Sequence, residues 1–240
     1  MIPIRTSAPR YGPPTVALAL IATNVVVFLV QTTLPEPASF ALVAHYALVP
    51  LRYSDPRWAL AVGLDPSDRL PLLTNIFMHG GWLHLIANMW TLWLFGAAVE
   101  GRMGRFRFLL FYILCGVLAS WVHMSVYPDS RVPALGASGA IAAAMGAHIT
   151  LFPRARVLLL VPILFIPLFF PVPVLVYAGL WFALQVMQGA GDLLQPTLGG
   201  GVAWWAHIGG FVAGLVAVRF IAPPDNKGPW GSRPIRGIDV

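Results

Sequence analysis

The chain has 240 residues, 58% of them apolar and 10% charged, with a mean hydropathy of +0.76. A soluble domain carries about 25% charged and roughly 45–50% apolar residues, so a soluble enzyme, a disordered chain and a small secreted scaffold are excluded, and a bilayer is the natural solvent. A lone cysteine, Cys115, excludes an internal disulfide and a Cys-based zinc site, and the net charge of +6 is accounted for below without nucleic acid.

A spanning helix needs about 20 mostly apolar residues. The first runs from Thr15 to Thr33, behind a tail of residues 1–14 that carries Arg5 and Arg10. A cleaved signal peptide is the lesser reading, because the core is long and the rest of the chain is also membranous. Residues 35–72 hold Glu36, Arg52, Asp55, Arg57, Asp65, Asp68 and Arg69 and form a long external loop, part of which is expected in the membrane interface around Trp58 and the 40–43 patch. The second span runs from about Leu73 to Val99, the third from Phe106 to Val126, and the Ala/Gly-rich fourth from Leu135 to Phe152. Pro162, Pro167, Pro171 and Pro173 break the next apolar stretch. We therefore expect 157–168 to be irregular and near the interface, and the fifth helix to run from about 170 to 188. The sixth runs from Gly201 to Ile221, and the tail, 222–240, is expected to be disordered.

Six spans put both termini on one side. That side receives eleven of the 15 basic residues: Arg5, Arg10, Arg102, Arg105, Arg107, Arg154, Arg156, Arg219, Lys227, Arg233 and Arg236. The other side receives Arg52, Arg57, Arg69 and Arg131. The positive-inside rule makes both termini cytoplasmic. The expected fold is an all-α membrane protein, a bundle of six transmembrane helices over residues 15–221, flanked by two cytoplasmic tails. The basic balance reports topology, so no nucleic-acid partner is expected; the bilayer is.

Polar side chains are costly in hydrocarbon and are functional candidates for that reason. His84 and Asn88 lie in the second span, Ser138 in the fourth and His207 in the sixth. All fall near the N-terminal ends of helices that run inward, so at about 1.5 Å per residue they share the outer third to half of the bilayer. A serine hydroxyl becomes a nucleophile when a base takes its proton, and a neutral His207 can be that base. No Asp or Glu falls inside a span, which leaves a Ser–His dyad rather than a triad. His84 and Asn88 are four apart and share a helix face. Together with the Ser138 backbone N–H they are candidate donors to an oxyanion. The dyad requires the fourth and sixth helices to touch, and Gly136, Gly139, Gly210 and Gly214 are among the small residues that permit it.

Each feature also has a plain reading. A lone Ser in a membrane helix usually bonds its own i−4 carbonyl, a lone His is often packing, and a Gly-x-x-x-Gly step is mainly a packing device. Trp204 and Trp205 read as an interfacial belt, and His45, His123 and His148 as structural or interfacial. The conjunction of Ser, two His and Asn at one depth is what favours chemistry.

At these residues the sequence resembles the rhomboid intramembrane serine proteases, over nearly the whole span region. His79, His84 and Asn88 match an H-x-x-x-x-H-x-x-x-N pattern that continues to Gly96 and Glu100. Gly136, Ala137, Ser138 and Gly139 match G-x-S-G, and Ala206, His207, Gly210 and Gly214 match A-H-x-x-G-x-x-x-G. The resemblance implies Ser138 as nucleophile and His207 as general base and then acid. It implies His84, Asn88 and the Ser138 amide as the oxyanion hole, and His79 as an organiser of the surrounding loop. It implies no cofactor or metal. It also implies a transmembrane protein as substrate, entering laterally near the fifth helix beneath a movable loop at about 189–200. Ala142 stands where some family members carry an aromatic residue against the catalytic imidazole, so what orients His207 stays open, with Trp204 or Trp205 as candidates. The first loop lacks the Trp-Arg pair seen in parts of the family, since Trp58 and Arg69 are separate.

An inactive rhomboid-like protein that holds transmembrane helices is the main alternative. A haem carrier with His84 and His207 as axial ligands is a further one, and a metalloprotease lacks its His-Glu-x-x-His. The compact chain suggests a bacterial plasma membrane with the site toward the external face. Substrate identity and oligomeric state are not written in the sequence.

Overall fold

The computed structural model describes residues 1–164, 166–194 and 201–223. The first span is α1, Thr15–Thr33. Its opening N–H groups would be orphaned, and the buried Glu100 carboxylate takes them: Oε1 accepts from Val16 at 2.9 Å and Oε2 from Ala17 at 2.7 Å. Glu100 is therefore the cap of a helix far away in sequence.

The external loop expected at 35–72 folds as α2 (Glu36–Tyr46), α3 (Leu51–Ser54), α4 (Pro56–Ala61) and α5 (Pro71–Thr74). Arg52 organises it from inside. Its guanidinium, 1% exposed, donates to the Asp65 carbonyl at 2.7 Å, the His45 carbonyl at 3.0 Å and Asp68 Oδ2 at 3.0 Å. An arginine fork matches several acceptors at once, which is how its charge is tolerated in burial.

The second span begins later than the expected Leu73. A tight 3-10 turn covers Asn75–Phe77, and the helix starts only at Trp82. The break is held by Gln31 of α1, whose Oε1 accepts from the His79 N–H and whose Nε2 donates to the His79 carbonyl. Helix α6 (Trp82–Thr91), a π-helical segment (Leu92–Gly96) and α7 (Ala97–Met103) then continue as one apolar stretch. Gly104, at φ +86°, turns the chain into α8, Arg105–Val126.

The fourth element, α9, runs over Ser138–Leu151, not the expected 135–152. At 1.5 Å per residue, its 14 residues reach about 21 Å, short of a hydrocarbon core of about 30 Å. It can be short because it does not face lipid: every residue from Gly139 to His148 is buried. Its Ala and Gly side chains let α11 (Trp204–Ile221) pack backbone to backbone. A Cβ at Gly210 would fall on the Gly139 carbonyl, and one at Gly214 on the Ala143 carbonyl. Residues of α9 belong to both apolar cores, Ala140 and Ile141 on the α1 and α8 side, and Ala142 and Met145 on the Phe95, Ala178 and Phe211 side.

The all-α expectation needs correction. Residues 156–173 are an antiparallel hairpin, β2 (Arg156–Ile163) and β3 (Ile166–Pro173), and the N-terminal residues, expected as a tail, supply β1 (Ile2–Thr6) on the far side of β2. The prolines read as breaks in a helix are compatible with this hairpin. Pro167, Pro171 and Pro173 occupy alternate positions of the edge strand β3, where no ladder donor is required. The following helix α10 covers Val174–Leu194, starting and ending beyond the expected 170–188. The part of the expected movable loop from 189 to 194 is therefore helical, while 195–200 lie outside the described residues. So do residues 224–240 of the expected tail; Pro223, at its start, accepts a hydrogen bond from Arg102 at 2.8 Å.

Among the described residues, five helical stretches are long and apolar enough to cross a membrane: Thr15–Thr33, Trp82–Met103, Arg105–Val126, Val174–Leu194 and Trp204–Ile221. The protein is thus a mostly helical membrane bundle carrying a small three-stranded sheet.

Candidate active site

Ser138 is the first residue of α9, and the turn that delivers it depends on Gly136. That residue has φ +130°, a conformation L side chains rarely adopt, and its N–H donates to the Asn75 carbonyl at 2.9 Å. Asn75 is itself pinned, its Nδ2 donating to the Pro71 carbonyl at 2.6 Å and to Ser120 Oγ at 3.0 Å. The Ser138 N–H therefore stands at a helix start with no intrahelical partner to claim it.

His207 lies one turn into α11, and the close packing of α9 on α11 brings the two side chains together. Ser138 Oγ and His207 Nε2 are 2.7 Å apart. A hydroxyl this close to an imidazole nitrogen can pass its proton there. Being the first helical residue, Ser138 does not make the usual i−4 bond inside its own helix.

Gln185 of α10, which the sequence patterns did not single out, completes the arrangement. Its Oε1 lies 2.7 Å from His207 Nδ1. The imidazole is further framed by Trp181 (ring centroids 6.0 Å apart) and by Trp204, edge-on at 6.1 Å. Trp204 was one of the two expected neighbours; Trp181 was missed, and Trp205 makes no ring contact of this kind among the described residues. Ala142 lines the same cavity without touching the role an aromatic would fill.

His84 and Asn88 both line this cavity, of about 330 Å³, with Ser138, Trp181 and His207. The His84 ring packs on Gly136: a Cβ there would stand 2.9 Å from His84 Nε2 and 3.7 Å from Ser138 Oγ. Gly136 is thus needed twice, for its backbone angle and for the room it leaves. One of the two Asn88 Nδ2 hydrogens goes to the His84 carbonyl of its own helix at 3.0 Å, which leaves the other as a donor. His79 does not reach the cavity; it is 2% exposed, with its ring 5.1 Å from that of His84 in an edge contact. Gly139 and Gly210 meet at the α9–α11 crossing directly beneath Ser138, and Gly214 one turn below.

A larger cavity of about 540 Å³ adjoins the first, with Gly201, Val202 and Ala203 lining both. There Tyr127, just past the end of α8, donates to Asp192 Oδ2 at 2.7 Å. Burial and the neighbouring carboxylate push its hydroxyl up to about 12. His148, away from this cavity, is enclosed by Phe95 and Phe152 and meets Thr6 of β1 at 3.3 Å.

Residues 67–224 match the family model described as the Rhomboid domain. The chain is 31% identical over 169 residues to the rhomboid protease GluP of Bacillus subtilis, covering 70% of this chain and 29% of that protein. It is 30% identical over 152 residues to the human presenilin-associated rhomboid-like protein, mitochondrial, covering 62% of this chain and 37% of the relative. It is 29% identical over 168 residues to rhomboid protein 1, mitochondrial, of Saccharomyces cerevisiae, covering 67% and 44%. The matches thus span less than half the length of these relatives. With a family match over well above half of its length, the chain belongs to the rhomboid family.

Proposed function

We propose that the protein is an intramembrane serine endopeptidase that hydrolyses a peptide bond in or near the transmembrane segment of another membrane protein. Ser138 Oγ attacks the scissile carbonyl carbon while its proton passes to His207 Nε2. The carbonyl oxygen becomes an oxyanion, stabilised by the Ser138 N–H at the start of α9 and by His84, with Asn88 contributing the second N–H of its amide, the first being held by the His84 carbonyl. His207 then gives the proton to the departing amine nitrogen, and the C–N bond breaks to leave an acyl-Ser138. Water, deprotonated by His207, attacks the ester; the proton returns to Ser138 Oγ and the second product leaves as a carboxylate.

The observation that carries this reading is the 2.7 Å approach of Ser138 Oγ to His207 Nε2 at the wall of a cavity that opens among apolar helices. The name of the Bacillus relative, a rhomboid protease, points the same way. A helical substrate shields its own peptide bonds, so the segment to be cut has to unwind beside Ser138. His79 supports the site indirectly, through the His84 ring. We place the protein as a six-span domain over residues 15–221, α9 being the short internal span, with both termini on the cytoplasmic side and Ser138 toward the opposite face. The mitochondrial names of two relatives lend the expected bacterial plasma membrane no support.

The test is incubation of the purified protein in bilayers with a panel of single-span membrane proteins, reading cleavage sites by mass spectrometry. Cleavage in or beside a transmembrane segment, lost in Ser138→Ala, is the expected result. Binding of the panel without cleavage by the wild type would make it a helix-binding relative instead.

A further inference from the structure

We propose that Gln185 is a positioning residue that fixes the tautomer of His207, an inference that rests on the reading of Ser138 and His207 as nucleophile and base. The argument follows hydrogen-bond polarity from one fixed end. The Trp181 backbone carbonyl can only accept, and it lies 3.4 Å from Gln185 Nε2. That end of the amide must be its NH2 group, which turns Oε1 toward His207 Nδ1 at 2.7 Å. An amide oxygen also only accepts, so Nδ1 carries the ring proton. A neutral imidazole protonated at Nδ1 has a bare lone pair at Nε2, and Nε2 is the atom 2.7 Å from Ser138 Oγ. The hydroxyl is thereby made the donor. In the opposite tautomer two lone pairs would face each other across Gln185 and His207, and the ring would present an N–H to the serine.

Gln185 is 7% exposed, so a carboxylate in its place would be a buried charge without a cationic partner. A neutral amide orients the base without that cost. Trp181 contributes twice, through its carbonyl to Gln185 and through its ring beside His207. Gln185 and Trp181 belong to α10, whereas Ser138 and His207 belong to α9 and α11. The base is therefore set only while α10 packs against α11.

The test uses the full chain labelled with 15N at histidine in bilayer discs. The chain has six histidines, and the His207 signals are those lost in His207→Ala. Wild type should show a protonated Nδ1 and a bare Nε2. Gln185→Met, which keeps volume and removes the acceptor, should show a mixture of tautomers, with kcat for substrate cleavage down about 10–100-fold and KM within about twofold. Gln185→Glu, kept neutral by burial, donates its O–H to the Trp181 carbonyl and still presents an acceptor to Nδ1, so it should restore the single tautomer. A single Nδ1–H tautomer with unchanged kcat in Gln185→Met overturns the inference, as does loss of that tautomer in Gln185→Glu. Should Gln185→Met fail to fold, Gln185→Ala, which also removes the acceptor, carries the same comparison with the same two outcomes. Failure of the underlying reading looks different: the wild type itself would cleave nothing, and the tautomer comparison would still report on Gln185.

Discussion

Gln31 and the backbone of His79 clasp each other across the top of α1: Gln31 Oε1 accepts from the His79 N–H at 3.1 Å, and Gln31 Nε2 donates to the His79 carbonyl at 3.2 Å. Both residues are buried. The clasp holds the non-helical residues just before α6 and so sets where His84 begins its turn. Gln31→Leu leaves a buried N–H and C=O unpaired, at about 1–3 kcal/mol for each group left unsatisfied. Thermal unfolding in detergent should show a lower midpoint together with slower cleavage. An unchanged midpoint would show the clasp to be dispensable.

The Glu100 carboxylate is a structural cap and not a catalytic acid. Glu100→Ala should cost about 2 kcal/mol by freeing the Val16 and Ala17 N–H groups. Glu100→Gln keeps one acceptor oxygen and should cost less. Unfolding midpoints ranked wild type, Gln, Ala are expected; equal midpoints for Gln and Ala would contradict the capping role.

Substitution at the α9–α11 crossing should act through space. At Gly210 even Ala places its Cβ on the Gly139 carbonyl, so Gly210→Ala should cut turnover and Gly210→Leu abolish it by wedging Ser138 away from His207. Wild-type cleavage by Gly210→Leu would disprove the requirement for close approach.

His84 and Asn88 should not be equivalent. The His84 ring stands beside Gly136 and Ser138, whereas the Asn88 amide commits one of its two N–H groups to its own helix. One oxyanion donor is worth about 10²–10³ in kcat. His84→Ala should lose activity on that scale, and Asn88→Ala should lose less and retain measurable cleavage. The comparison is a pair of kcat values on one substrate; a larger loss in Asn88→Ala would reverse the assignment.

Much of the candidate site was legible because hydrocarbon makes polar residues conspicuous. Ser138 and His207 stood out in apolar helices, and the glycines that let their backbones meet were visible as a spaced set. The same rule, applied to the fifth span, also points to Gln185, and applied to α1 it points to Gln31; neither was weighed as a hydrogen-bonding side chain. The sheet was illegible for a different reason. A short apolar run with prolines reads equally as a broken helix or an edge strand, and the partner that decides the matter, β1, lies about 155 residues away in sequence. The late start of α6 depended likewise on a contact from another helix.

The most direct measurement is labelling of the folded protein in bilayers with a fluorophosphonate, which reacts with an activated serine. Mass spectrometry should place the adduct on Ser138 in the wild type, with labelling absent in Ser138→Ala and slowed at least about 10²-fold in His207→Ala. An unlabelled wild type, or equal labelling of Ser138 in wild type and His207→Ala, would contradict the pairing of these two residues as nucleophile and base.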